Sequence, residues 1–127
     1  MVEEGRPLFL QIAESVEDSI IDGSLSEQDQ APSTNELAAF FRINPATAAK
    51  GIAMLTDKGV LIKRRGIGMF VADGARELLL GERRAAFADR YLDPLLAEAR
   101  KLGRGPDDIA RLLQARATTT TTEGTAR

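Results

Sequence analysis

Residues 31–71 read APSTNELAAFFRINPATAAKGIAMLTDKGVLIKRRGIGMFV, and the order of signals along them decides the fold. Ser33 followed by Glu36 is a capping box: the hydroxyl takes one orphan helix N–H, and the carboxylate reaches back to the cap's own N–H. Leu37, Ala38, Phe40 and Phe41 then give a short helix an apolar side. Asn44-Pro45 is a second start signal, because Asn caps well and Pro fits a first helical position whose N–H is not needed. Only Arg42 and Ile43 lie between, so the turn is tight and Ile43 plugs the gap between the helices. The second helix spans residues 45–58, with Ala48, Ile52 and Leu55 at helical spacing toward the core and Gly59 as its stop. Gly51 inside that helix costs about 1 kcal/mol relative to Ala, which predicts close approach of a neighbouring helix. Residues 60–62 and 69–71 are apolar and β-prone and flank a turn with Gly66 and Gly68, a hairpin signal. Two short helices, a tight turn and a two-stranded ribbon make a winged helix-turn-helix, a shape that usually lays its second helix in a DNA groove.

Burying Ala48, Ile52 and Leu55 leaves Ala46, Thr47 and Lys50 on the outer N-terminal face of that helix, with Pro45 as its first residue. Ala46 lets the backbone come close to DNA, Thr47 can donate, accept or offer its methyl to thymine, and Lys50 reaches a phosphate or a guanine edge. A lone lysine on a solvent-facing helix is commonplace. The basic run Lys63-Arg64-Arg65, expected at the tip of the ribbon beside phosphates or with one Arg in a minor groove, makes DNA contact the better reading.

Upstream, residues 7–22 form an amphipathic helix. Leu8, Ile12, Val16 and Ile20 recur every four residues with Phe9 and Ala13 beside them, and Glu14, Glu17, Asp18 and Asp22 fill the polar side. Residues 24–30 are a polar connector anchored by Leu25, and residues 1–6 are an acidic, mobile start. Downstream, a long helical pattern over residues 75–102 carries a stripe of Leu80, Phe87, Tyr91, Leu95, Ala99 and Leu102, widened by Leu78, Leu79, Leu92 and Leu96. Gly81 should loosen this helix, and Pro94 should kink or break it near Tyr91. After a turn at residues 103–105, Pro106-Asp107-Asp108 starts a last short helix with Ile109, Leu112 and Leu113 on one face. The threonine run and the residues after it, 118–127, form a low-complexity tail expected to be disordered.

Composition narrows the chemistry. The chain of 127 residues has neither His nor Cys, so a zinc site or a Ser/Cys–His catalytic pair cannot be built. There is no clustered acidic loop for another metal, no phosphate-binding Gly loop, and therefore no cofactor or enzymatic activity to expect. No apolar run approaches the roughly 20 residues of a membrane span, and no charged-then-apolar leader is present, so a cytoplasmic location is expected. The net charge of −2 is unevenly spread. Residues 1–30 hold eight acidic groups and one basic, a net of −7; residues 31–72 hold six basic and two acidic, a net of +4. The positive excess falls on the motif that should meet phosphate, and its modest size calls for two copies acting together.

From residue 7 to 71 the chain resembles the GntR family of bacterial transcription regulators. The resemblance rests on PLFLQI, IIDGSL, PSTNELA, INPATAAKGI and LTDKGVLIKRRGIGMFV in matching order and spacing. Asn44-Pro45 and the short remainder look most like the YtrA-type subfamily. By position, the resemblance implies DNA contacts at Ser33, Thr34, Asn35, Asn44, Ala46, Thr47, Lys50, Arg65 and Gly66. The family usually carries Arg at the place of Asn35, many members have a basic or polar residue at Pro45, and some have Arg at Ala49; Lys50 and the run Lys63-Arg64-Arg65 would compensate.

The expected protein is mainly α with a small β wing: a winged helix-turn-helix over residues 1–72, a C-terminal helical pair for dimerisation over residues 73–117, and the tail. The apolar stripe Leu80, Phe87, Tyr91, Leu95 and Leu102 is too large for two helices to bury on themselves, so a homodimer is expected through it. The corresponding function is a homodimeric repressor of transcription on a two-half-site operator in double-stranded DNA, with room for a small-molecule effector. The alternative is a winged protein-interaction module whose basic tip docks an acidic partner.

Overall fold

The computed structural model describes residues 5–125, with side chains as far as residue 119. The expected mobile start falls mostly on residues 1–4, outside the described residues, as do the last two residues of the tail. The chain divides into two compact units, residues 1–83 and 84–127.

The winged unit begins with α1 (Leu8–Ile21), whose Ile12, Ala13, Val16 and Ile20 are buried. Helices α2 (Thr34–Phe41) and α3 (Pro45–Asp57) follow, then strands β1 (Leu61–Arg64) and β2 (Gly68–Val71). Helix α3 packs across α1, and Gly51 is the reason it can. A Cβ there would stand 2.9 Å from the backbone oxygen of Phe9, so the expected close approach is present. The capping box forms as expected: Glu36 N–H donates to Ser33 Oγ at 3.0 Å, and Ser33 N–H donates to the Glu36 carboxylate at 2.8 Å. Asn44 Oδ1 accepts from Ala46 N–H at 2.8 Å and opens α3.

The tight turn has a local cause. Arg42 takes a left-handed φ of 56°. Ile43 N–H donates to Ala38 O at 3.0 Å, and Arg42 N–H donates to Ala39 O at 3.3 Å. This is a Schellman ending with Arg where Gly is usual, and it points Ile43 back onto the core. Helix α3 ends the same way with the expected Gly at the left-handed position, Gly59 at φ +85°, and Val60 buried just after it.

Strands β1 and β2 pair antiparallel from Leu61 with Val71 to Arg64 with Gly68. The connector before α2 lies along β2: Ala31 N–H donates to Met69 O at 2.8 Å, and Val71 N–H donates to Asp29 O at 2.9 Å. The core draws Ile12, Ile20, Leu37, Ala48, Ile52, Leu55, Val60, Leu61 and Val71 into one cluster, together with Ala75 and Leu79. Burying each large aliphatic side chain contributes roughly 1.5–3 kcal/mol.

Several expectations change. Glu17, placed on the polar side of α1, is buried. Lys58 Nζ meets its carboxylate at 2.6 Å, and Arg83 lies 3.6 Å away, so two cations from α3's end and α4 cover it. Phe40, placed on the apolar side of α2, is 74% exposed and stands edge-on to Phe41. Leu79, assigned to the outer stripe, is fully buried in the winged core with Ala75. The division expected after residue 72 therefore lies after Arg83, because the first turns of α4 (Ala75–Phe87) complete that core.

The second unit contains the end of α4, a π-helical turn (Ala88–Leu92), α5 (Asp93–Lys101) and α6 (Pro106–Thr125). Gly81 does not interrupt α4. Pro94 has no N–H for the ladder, and its ring crowds the preceding turn, so the helix widens into a π turn rather than stopping. Gly103 at φ +72° closes α5, with Arg104 N–H donating to Ala99 O at 2.8 Å. A further correction concerns the tail: α6 continues through the threonine run to Thr125. Thr118 and Thr119 turn their hydroxyls onto the carbonyls of Gln114 and Ala115, at 2.9 and 3.1 Å, so the polar groups are satisfied within the helix.

Candidate nucleic-acid interface

The site is assembled from two capped helix starts and a hairpin. Of the twelve residues singled out in the sequence, none is buried. Thr34 and Thr47 are half-buried; Ser33, Asn35, Asn44, Pro45, Ala46, Lys50, Lys63, Arg64, Arg65 and Gly66 are exposed. Helix α3 buries Ala48, Gly51, Ile52 and Leu55, which turns Ala46, Ala49, Lys50 and Ala53 outward. Ala53 was not singled out in the sequence, and Ala49 entered only as a departure from the family's pattern. Their exposure was readable from the helical period, and they make most of this face small enough for a backbone to approach another surface closely.

Lys50 is not loose. Its Nζ lies 4.1 Å from the centroid of the Phe9 ring on α1. That cation–π contact holds the ammonium near the surface without neutralising it.

The wing needs one adjustment. Lys63 and Arg64 are strand residues of β1, and the tip is Arg65-Gly66-Ile67. Ile67 N–H donates to Arg64 O at 3.0 Å, and Gly66 sits at φ +77°, where a side chain would be strained. Arg64 lies over the Phe70 ring at 4.3 Å and donates from Nη2 to Gln28 Oε1 at 2.8 Å. Gln28 and Gln30 were missed in the sequence, where they read as plain connector. Their roles come from residues about forty positions away, which no local pattern signals.

Charge separates the basic residues into two groups. Lys58 is held by Glu17 at 2.6 Å and Glu82 at 2.8 Å. Burial pulls its pKa down, but hydrogen bonds to those carboxylates and their charges outweigh this, and the net direction is up. Arg83 behaves alike: desolvation lowers its pKa, and Asp18 and the neighbouring acids raise it further. By contrast Lys50, Lys63, Arg64 and Arg65 have no acidic partner in ion-pair range among the described residues. The Glu36 carboxyl is held below its ordinary pKa by the Ser33 backbone N–H and then its hydroxyl, so the cap stays ionised at neutral pH. Among the described residues, no group of acidic side chains is placed to hold a metal ion, and no helix is long and apolar enough to cross a membrane.

Comparison with known proteins gives the arrangement a family. Residues 8–71 match the family described as bacterial regulatory proteins, gntR family. The chain is 27% identical over 97 residues to the transcriptional repressor YtrA of Bacillus subtilis, covering 76% of this chain and 74% of YtrA. It is 25% identical over 107 residues to the uncharacterised regulator YhcF of the same organism, covering 84% and 87%. A putative GntR-family regulator from Bacteroides thetaiotaomicron superposes with a TM-score of 0.70 at 27% identity, over 89% of this chain and 98% of that one. The DNA-binding domain of AraR, solved in complex with operator ORX1, superposes with a TM-score of 0.52 at 30% identity, over 57% and 87%. This chain belongs to the GntR family of bacterial regulatory proteins and is a DNA-binding regulator of transcription.

Proposed function

We propose that the chain is a homodimeric repressor that occludes a promoter by binding two half-sites of one operator. The observation that carries this reading is the outward face of α3: small residues and one lysine behind a capped start, followed by a wing whose cations have no acidic partner in ion-pair range among the described residues. In this reading Ala46, Ala49 and Ala53 let α3 seat deeply in a major groove. Thr47 and Lys50 meet base edges and phosphate, and Ser33, Thr34, Asn35, Asn44 and Pro45 line the entry. Lys63, Arg65 and Gly66 bring the wing to the flanking backbone.

Pairing runs through Leu80, Phe87, Tyr91, Leu95 and Leu102. Leu80 is half-buried, and the other four are exposed large apolar side chains, for which a second copy is the natural cover. Linking two winged units raises operator affinity well beyond that of one. A small-molecule effector would act by changing the separation of the two winged units, and the protein works in the cytoplasm, where its DNA is.

A mobility shift on the genomic fragment beside its own gene tests the reading. The fragment should be retained in preference to random duplex, and Lys50→Ala should weaken retention. If Lys50 meets phosphate alone, the loss is similar across sequences and the salt slope shrinks by about one. Equal retention of random duplex at low salt would remove the proposal.

A further inference from the structure

The connector between α1 and α2 holds the wing with one hand and the start of α4 with the other. Gln28 sits at its centre with φ +75°, a conformation that glycine tolerates and side chains rarely adopt. Its backbone N–H donates to Val71 O at 2.9 Å in β2. Its amide works in both directions: Oε1 accepts from Arg64 Nη2 at 2.8 Å, and Nε2 donates to Asp73 Oδ1 at 2.5 Å. Arg64 also lies over the Phe70 ring, 4.3 Å from its centroid. Next to Gln28, Glu27 accepts from the N–H groups of Gly74 at 3.0 Å and Arg76 at 3.3 Å. Two residues on, Gln30 Nε2 donates to Ile67 O at 3.0 Å in the wing turn.

These contacts are exposed to solvent, where water competes and each adds little to folding. A strained backbone kept at the surface for their sake points to a role beyond stability. Resting on the DNA-binding reading above, we infer that Gln28 is a positioning residue for the wing. Its amide holds Arg64 over Phe70 and ties it to Asp73, so Arg64 sets the pose of the hairpin and leaves phosphate contact to Arg65 and Lys63. The wing's pose is thereby coupled to the start of α4, the helix that leads into the C-terminal unit.

The test uses the full chain and a selected operator, with affinity measured over a salt series. Gln28→Gly suits the local backbone, so it should melt no lower than the wild type. It should nonetheless bind the operator about fivefold more weakly, the order of one lost hydrogen bond, with an unchanged salt slope. Arg64→Ala should behave alike, and the double variant should be no weaker than either single one. Arg65→Ala should instead shrink the slope by about one. Wild-type affinity in Gln28→Gly, or a slope loss in Arg64→Ala equal to that in Arg65→Ala, overturns the inference. A wild type that binds no duplex sinks the DNA-binding reading instead. Hydrogen exchange at wing residues 65–68 then decides the positioning role: faster exchange in Gln28→Gly supports it, and equal exchange removes it.

Discussion

The winged unit hides most of its large apolar side chains, with Phe40 and Ile67 the most exposed exceptions, and the C-terminal unit shows most of its own. Ile12, Ile20, Leu55, Leu61 and Leu79 are almost wholly buried, whereas Phe87, Tyr91, Leu95, Leu102, Leu112 and Leu113 are exposed. Apart from Leu61 on β1, both sets lie on helices. The difference is that α1's stripe finds α3 within the unit, while the stripe on the end of α4, α5 and α6 finds little beyond Ala99 to bury. Spacing marks a face as apolar; only the rest of the chain, or a second copy, covers it.

The sharpest way to break this comparison is to cut into each unit. Leu55→Ala should cost roughly 2–5 kcal/mol in urea unfolding, since it opens a cavity in a closed core. Leu102→Ala, at a side chain 67% exposed within one chain, should cost well under about 1 kcal/mol in a dilute, monomeric sample. Equal losses would mean that the two units are alike after all.

Next in size is the combined change Leu95→Glu and Leu102→Glu. On the proposed pairing it should yield monomers by sedimentation velocity and lower operator affinity about a hundredfold, with the wing's fold intact. An unchanged dimer would move the interface elsewhere.

A smaller effect belongs to the charged seam beneath α1. Glu17→Gln should cost on the order of 1–3 kcal/mol, because Lys58 and Arg83 then face a neutral group. The seam also has a pH signature. Lys58 has a raised pKa in the folded chain, so its contribution is complete below the ordinary lysine value of 10.5 and is lost as pH rises through the folded value. Denaturation followed over roughly pH 9 to 12 should show that alkaline decline in the wild type and less of it in Glu17→Gln. Identical profiles would detach Lys58 from Glu17.

Smallest is the helix cap. Ser33→Ala should cost about 1 kcal/mol at neutral pH. The Glu36 partner has a lowered pKa, so its share is present above 4.5 and fades as pH falls through the folded value. The Ser33 backbone N–H keeps its bond to Glu36 in this variant, so acid should weaken both proteins, and the gap between them should narrow only by the share of the lost hydroxyl; a gap that widens in acid would contradict this.

Local chemistry was legible throughout the winged unit. Ser33 with Glu36, Asn44 with Pro45, and Gly59 each announced a cap or a stop that depends on residues a few positions away, and Gly51 announced a close contact by standing inside a helix, though not that its partner is Phe9. What failed depended on distant partners. Glu17 looks like any acidic residue on a polar face until Lys58 and Arg83 close over it. Lys63 and Arg64 looked like a tip because an apolar-to-basic switch does not mark where a strand ends; pairing with Gly68 and Met69 sets that. Leu79 and Leu80 are adjacent and equally apolar, yet the first belongs to the winged core and the second is half-buried. The threonine run looked like a disordered tail because its composition is of low complexity, and α6 continues through it, with the Thr118 and Thr119 hydroxyls bonded back along the helix.

Selection of operators from random duplexes by the full chain is the most direct test of the central claim. The account predicts an inverted repeat whose half-sites lie about 10–10.5 base pairs apart, or a multiple of that, bound by two chains. Enrichment of a single unrepeated site by one chain would contradict the two-fold reading. No enrichment, with stable capture of an acidic protein partner instead, would contradict the account as a whole.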